Sequence, residues 1–254
     1  MADQLSSGTD FPELWYDLSD KGHFWFQWRA AVLSRALLRC RINQKEQMKV
    51  LEIGCGSGVL SAQIEDFTNW AVDGVDLNHE ALSRGAAGRG RRFFYNVIDR
   101  APHLAEAYDG VVLFDVLEHL ADPIRMLQDA SFHIKPGGFV LVNVPARKEL
   151  FSRYDEVVGH LRRYDRATLH RQLVDGGFFA GWIGYWGLLL VPIAIARRFL
   201  VRFMRDDAAV VTTGFKPPSP LINRALALVM KIETWIFDST PVGSSVMAIY
   251  FKRS

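Results

Sequence analysis

The sequence predicts the α/β class, a doubly wound and mostly parallel sheet of seven strands, on three observations. Short β-rich apolar runs alternate with helical stretches, the mark of parallel strands joined by crossover helices. The first run, 49–54 (KVLEIG), opens directly into a loop with glycine at positions 54, 56 and 58. The second, 70–77 (WAVDGVDL), ends on an acid, Asp76. The 254 residues suffice for a sizeable core, and with 49% apolar and 12% aromatic content the chain offsets its ordering entropy by burial.

Taken in order, residues 1–48 read as an N-terminal helical flap over the sheet, with most of Phe24, Trp25, Phe26 and Trp28 packed on it. KVLEIG is apolar enough for a strand buried on both faces. RRFFYNVI (91–98), YDGVVLFDVL (108–117) and GGFVLVNVPA (137–146) supply three further strands, and 59–67, 79–88 and 121–134 read as helices. In the last of these Asp122 is an N-cap and Pro123 takes the first helical position, where its missing N–H costs nothing. Lys135-Pro136-Gly137-Gly138 then turns the chain into the next strand.

Residues 178–196 (FFAGWIGYWGLLLVPIAIA) carry no charge, which meets the crude length of a membrane span, but three glycines and Pro192 interrupt them. The first half reads as the sixth strand, leaving too little apolar helix to cross a bilayer. The second half leads into Arg198, Arg202 and Arg205, whose spacing places them on one helix face, with Phe199, Leu200 and Phe203 facing elsewhere. Such a helix can lie in a membrane interface or cover a lipophilic channel; alternatively it packs on the sheet with a solvated arginine face. After KPPSP (216–220), 221–237 is helical and 244–253 alternates as a closing strand. One domain, 1–254, results: flap 1–48, cofactor-binding core 49–187, helical insertion 188–240 and closing strand 241–254.

A net charge of +2, from 30 Lys+Arg against 28 Asp+Glu, leaves no overall positive field to hold a nucleic-acid backbone, so no nucleic-acid partner is expected. Cys40 and Cys55 are too few for a disulfide scaffold, and MADQLSSGTD has no apolar signal core. The default compartment is the cytoplasm, with peripheral contact at a membrane through 188–205 left open.

In the glycine loop, a dinucleotide fingerprint would want Gly at 59, where the chain has Val59, so the spacing argues against a nicotinamide cofactor. Asp76, 22 residues after Gly54, suits a carboxylate that binds ribose hydroxyls. With this loop, acid and strand order, the chain resembles the class I S-adenosylmethionine-dependent methyltransferases, a Rossmann-like fold, within the type 11/12 group and the ubiquinone-biosynthesis O-methyltransferases. The similarity covers 49 to about 146 and the final strand. It implies S-adenosyl-L-methionine as cofactor, with Gly54, Cys55 and Gly56 facing its methionine part and Asp76 and Leu77 at the ribose. Asn96 takes the place where the family often has an acid beside the adenine amine, with Val97, Ile98 and Asp99 as neighbouring candidates. Phe114 borders the cofactor, and Arg29 resembles an arginine that contacts its carboxylate.

Phe114-Asp115-Val116-Leu117-Glu118-His119-Leu120 lies at the carboxyl end of the fourth strand, beside the crevice of an open sheet. Methyl transfer from a sulfonium chiefly needs orientation and a deprotonated nucleophile. If the strand runs into a helix, Asp115, Glu118 and His119 meet at one site, and two oxygen donors with one imidazole suit Mg²⁺ or another divalent cation. The run resembles the D/E-x-x-E-H segment of the ubiquinone enzymes, a family associated with metal use there; the alternative is His119 or Glu118 as a simple base. His160, in Gly159-His160-Leu161-Arg162-Arg163-Tyr164, is a further base or ligand, and Arg163 a holder of an anionic group. In the alternative reading of that run, Arg162 and Arg166 are solvated and Tyr164 anchors the next helix. The expected activity is methyl transfer to a small aromatic or lipophilic acceptor, most simply at oxygen. The alternatives are transfer to carbon or nitrogen, or a non-catalytic, membrane-associated binding module.

Overall fold

The computed structural model describes residues 22–85, 88–215 and 218–254. The expectations for 1–21 of the flap, for 86–87 at the end of the 79–88 helix and for 216–217 in KPPSP lie outside the described residues. In chain order the elements are α1 (Phe24–Arg39), β1 (Lys49–Ile53), α2 (Val59–Phe67), β2 (Ala71–Asp76), α3 (His79–Arg84), β3 (Arg92–Phe94), β4 (Tyr108–Phe114), α4 (Pro123–His133) and β5 (Ile134–Pro145). They continue as α5 (Arg153–Val157), α6 (Arg166–Asp175), β6 (Phe178–Trp186), α7 (Leu190–Val201), α8 (Asp207–Phe215), α9 (Pro220–Ile236) and β7 (Ser245–Lys252).

The seven strands form one sheet in the order β3-β2-β1-β4-β5-β7-β6. β3, β2, β1, β4 and β5 pair in parallel, and β7 runs antiparallel between β5 and β6. Alternation along the central strands builds a core on each face. Leu51, Val111, Val140 and Val142 pack with Leu127 of α4 and Leu169 and Leu173 of α6. Val50, Val112 and Leu141 point the other way, onto Trp28, Leu33 and Leu37 of α1 and Leu60 and Ile64 of α2. Each such side chain contributes about 1.5–3 kcal/mol by burial, so the strands that carry the site are also the best anchored. The chain order reverses between β1 and β4, which opens a crevice at their carboxyl ends.

Two sequence expectations shift. The third strand stops at Phe94, because the Asn96 side chain accepts from the Ile98 N–H and caps a 3₁₀ turn over Val97–Asp99. α7 ends at Val201, so Arg202 caps the helix, Arg205 lies beyond it, and the three arginines do not share a helix face. Arg153 draws in the turn that follows, donating to the Arg205 carbonyl at 3.3 Å and pairing with Asp207 at 2.6 Å. The uncharged run divides as expected, with Gly187 turning at φ +84° between β6 and α7. Among the described residues no helix is long and apolar enough to cross a membrane.

The insertion is built onto the N-terminal helix. Trp28 Nε1 donates to Thr234 Oγ1 at 2.9 Å, and the Phe24 N–H donates to Asn223 Oδ1 at 2.9 Å. Glu233 of α9 accepts from the backbone of Gly187, Leu188 and Leu189, which satisfies amides at the start of α7.

Candidate active site

The glycine loop needs its glycines for backbone reasons. Gly54, Gly56 and Gly58 have φ of +73°, +52° and +78°, and a Cβ at Gly54 would stand 2.9 Å from Val116 Cγ2. The Gly54 and Cys55 N–H groups both donate to the Val75 carbonyl, at 2.8 and 3.1 Å. Asp76 then braces the loop: Oδ2 accepts from the Gly56 N–H at 2.8 Å and Oδ1 from the Asn78 N–H at 2.9 Å. Each oxygen keeps lone-pair capacity for a ribose hydroxyl. Leu77, Asn96, Val97 and Phe114 line the same cavity as Gly54, Cys55, Gly56 and Asp76, and burial pushes the Cys55 thiol up, so it stays protonated.

β4 does not run into a helix. Asp115 takes φ +57° and the chain turns into a 3₁₀ segment over Leu117–His119. This break separates the three donors read from the sequence. Asp115 turns to the flap, where Arg29 Nη1 meets its Oδ2 at 2.6 Å, and to β5, where Asn143 Nδ2 donates to Oδ1 at 2.9 Å. Arg29 is buried, with its guanidinium carbon 4.7 Å from the centre of the Trp25 ring, 5.0 Å from Phe26 and 5.4 Å from Phe114. Burial pushes the Asp115 carboxyl up, against the pull of Arg29 and Asn143. Arg29 also lines the cavity.

Glu118 and His119 are joined instead by His160. The run 159–164 is laid along the two strand ends: the Leu161 N–H donates to the Glu118 carbonyl at 2.8 Å, the Tyr164 N–H to the Pro145 carbonyl at 2.9 Å, and the Tyr164 hydroxyl to the Leu117 carbonyl at 3.1 Å. Ligand atoms of Glu118, His119 and His160 thereby lie within 4.8 Å of one another. The two imidazoles meet edge to face at 4.8 Å, and His119 Nδ1 donates to the Gly159 carbonyl at 3.2 Å. Burial, and then the neighbouring His160, bring the His119 imidazole down to about 4. Glu118 is fully buried, and neither of its carboxylate oxygens has a hydrogen-bond partner among the described residues. Burial and the nearby Asp115 push its carboxyl well up.

Arg163 lines the cavity but is engaged internally. Its three nitrogens are spent on Asp155 Oδ1 and Oδ2, at 2.7 and 3.1 Å, and on the Ala146 carbonyl at 3.1 Å. Asp155 and Glu52 were not foreseen. Asp155 is announced by Ser152-x-x-Asp155, a capping box that opens α5. Glu52 is an acid inside a doubly buried strand, which is itself a signal. It bonds Ser61 and lines the cavity, and burial pushes it up to about 7 despite that bond and Arg29.

These groups open on one cavity of about 690 Å³. The glycine loop, Asp76, Glu118, His119 and His160 all line it, and Leu190, Ile193, Ala194 and Leu200 of α7 give it an apolar wall.

Among proteins of known sequence, the chain is 34% identical over 102 residues to a ubiquinone biosynthesis O-methyltransferase of Caulobacter sp., a match covering 38% of this chain and 40% of that protein. It therefore spans well under half the length of the curated relatives it matches. Among solved structures it is similar in fold to a SAM dependent methyltransferase from Archaeoglobus fulgidus, with TM-score 0.51 and 19% identity over 87% of this chain and 94% of that one. It is likewise similar to Haemonchus contortus phosphoethanolamine N-methyltransferase 2 in complex with S-adenosyl-L-methionine, with TM-score 0.56 and 18% identity over 86% of this chain and 52% of that one. Residues 11–179, well over half of the chain, match the family model described as a methyltransferase domain. With that match added to the sheet order and the glycine loop, the chain belongs to the class I S-adenosylmethionine-dependent methyltransferases.

Proposed function

We propose that the chain transfers the methyl group of S-adenosyl-L-methionine to a hydroxyl oxygen of a small aromatic or lipophilic acceptor. The observation that carries the reading is the unpartnered, buried carboxyl of Glu118, flanked by His119 and His160 in the cavity that the glycine loop also lines. A hydroxyl becomes a competent nucleophile as its proton leaves, and two imidazoles and a carboxyl are groups that accept or relay one. Gly54, Cys55, Gly56, Asp76, Leu77, Asn96 and Val97 hold the cofactor in this reading, with Phe114 and Arg29 closing over it. The similarity to ubiquinone biosynthesis O-methyltransferases supports oxygen as the acceptor atom. The apolar wall from α7 supports a lipophilic acceptor.

Two orphaned carboxylate oxygens beside two imidazoles also fit a divalent cation such as Mg²⁺. Glu118, His119 and His160 would hold it, with Asp115 left to Arg29. Such an ion would supply a lowered pKa for an acceptor hydroxyl. Segment 188–205 would meet a membrane surface through Phe199, Leu200 and Phe203, all exposed.

The test is a mass-shift screen with the cofactor and panels of simple phenols, prenylated catechols and lipid extracts. A gain of one methylene mass on prenylated catechols is expected. Transfer confined to amines or carbon acids would overturn the oxygen reading.

A further inference from the structure

Asp155 is fully buried, and five donors converge on its carboxylate. Oδ1 accepts from Arg163 Nε at 2.7 Å and from His160 Nδ1 at 2.8 Å. Oδ2 accepts from the Ser152 N–H at 2.9 Å, Ser152 Oγ at 3.2 Å and Arg163 Nη2 at 3.1 Å. With the Arg163 guanidinium and two Ser152 groups donating to its two oxygens, this carboxylate is an acceptor with no proton to give. The proton on the 2.8 Å contact therefore belongs to His160 Nδ1. The opposite nitrogen, Nε2, stands 3.9 Å from Glu118 Oε1, and both residues line the cavity. Backbone geometry reinforces the orientation, since Gly159 reverses the chain at φ +79° and the His160 N–H returns to the Asp155 carbonyl at 2.7 Å.

We propose that Asp155 is a positioning residue of this site: buttressed by Arg163 and Ser152, it fixes His160 as the Nδ1-protonated tautomer and aims Nε2 at the cavity opposite Glu118. The proposal rests on the reading of His160 as a group that meets the acceptor. It holds whether Nε2 there takes a proton or a cation, because both uses need the same lone pair pointing the same way. The segment Ser152–Arg163 is thus a second layer of the site, folded around one carboxylate, and not a loop that happens to carry a histidine.

The test is ¹⁵N-histidine NMR of the intact protein with chelator present, at mildly alkaline pH, with the His160 signals identified by their loss in His160→Gln. The wild-type ring is expected to show a pyrrole-type Nδ1 and a pyridine-type Nε2. In Asp155→Asn the amide can donate as well as accept, so the single tautomer gives way to a mixture. With a prenylated catechol as probe acceptor, kcat for that variant falls about 10- to 100-fold, the usual cost of losing a carboxylate behind a functional histidine, while affinity for S-adenosylhomocysteine is unchanged. A wild-type His160 protonated on Nε2 overturns the proposal without need of any variant, as does an Asp155→Asn protein that keeps the wild-type tautomer. A probe that is not methylated by a wild-type protein with the Nδ1–H tautomer counts against the proposed acceptor and leaves the positioning role supported.

Discussion

Arg29 and Asp115 are joined by an ion pair of 2.6 Å that ties the N-terminal helix to the break at the end of β4. The pair is asymmetric: the Arg29 side chain is 4% exposed and that of Asp115 26%. Asp115 also holds Asn143, whose Oδ1 in turn accepts from Trp186 Nε1 at 2.9 Å. One chain of contacts thus runs from the flap through β4 and β5 to β6, where the insertion begins. Breaking a fully buried pair by removing one partner costs about 3–5 kcal/mol; with Asp115 partly wet, Arg29→Met is expected to cost roughly 2–3 kcal/mol. Urea unfolding measures it, and an unchanged midpoint would show that the pair contributes nothing to stability.

Glu52 provides a pH test with a definite sign. Burial raises its carboxyl to about 7 in the fold, from the ordinary value of 4.5. Between those values the native state holds a proton that the unfolded chain has released, so stability is full at the acid end and is lost as pH rises through about 7. The loss is on the order of 3 kcal/mol. Glu52→Gln keeps a partner for Ser61 and removes the titration. The variant is expected to be more stable than wild type above neutrality and to show a flatter profile, read from urea midpoints across that range. A parallel profile would place the shift elsewhere.

What the sequence makes legible here is local, and what it hides is relational. The loop from Gly54 to Gly58, the Asp122 cap with Pro123, and the split of the uncharged run at Gly187 each depend on residues close in sequence, and each appears as expected. The sequence groups Asp115 with Glu118 and His119 because a helical continuation would align them. The left-handed backbone of Asp115 and its bond to Arg29, 86 residues away in the chain, turn its oxygens to Arg29 and Asn143, although it lines the same cavity close to Glu118. His160 was foreseen as a base or ligand, but its placement depends on Asp155 and on the stitching of 159–164 to two strand ends, which no periodicity encodes. Beyond the end of α7 at Val201, the turn is likewise held by a distant residue, Arg153 of α5, which bonds Arg205 and Asp207.

Asp76 braces the glycine loop from the end of β2. It accepts from the Gly56 and Asn78 N–H groups, and in the proposed pose also from ribose hydroxyls. Hydrogen bonds to a charged group contribute about 1.5–3 kcal/mol each, so Asp76→Ala is expected to weaken S-adenosylhomocysteine by roughly 10- to 100-fold. Calorimetry measures it, and an affinity indifferent to the substitution would remove Asp76 from the cofactor site.

Glu118→Gln separates function from stability. The carboxyl is buried without partners, so the amide is expected to leave the urea midpoint unchanged or higher. Turnover on a methylated acceptor is expected to fall about 10²- to 10⁴-fold, the range for loss of an acid–base group. Chelation followed by Mg²⁺ distinguishes the two uses of the cluster. Loss and recovery of turnover assign Glu118, His119 and His160 to a cation; unchanged turnover assigns them to direct proton transfer.

The insertion exposes large apolar side chains that a protein surface in water rarely gathers together. Phe199 and Phe203 are 61% and 81% exposed, and Ile193 and Leu200 belong both to the exposed surface and to the cavity wall. Arg202 and Arg205 lie exposed beside them, although not on a shared helix face. Each basic residue near an anionic surface adds about 1 kcal/mol, and each large side chain that leaves water about 1.5–3 kcal/mol. The protein is therefore expected to sediment with vesicles containing phosphatidylserine, and to do so less with neutral vesicles and at high salt. Phe199→Ser with Phe203→Ser should lower the partition at least about tenfold, because two apolar anchors are lost. The double variant should leave calorimetric affinity for S-adenosylhomocysteine intact, since neither phenylalanine lines the cavity. Absence of sedimentation with anionic vesicles at low salt would show that these residues do not dock on lipid, and the proposed lipophilic acceptor would then have to enter from water.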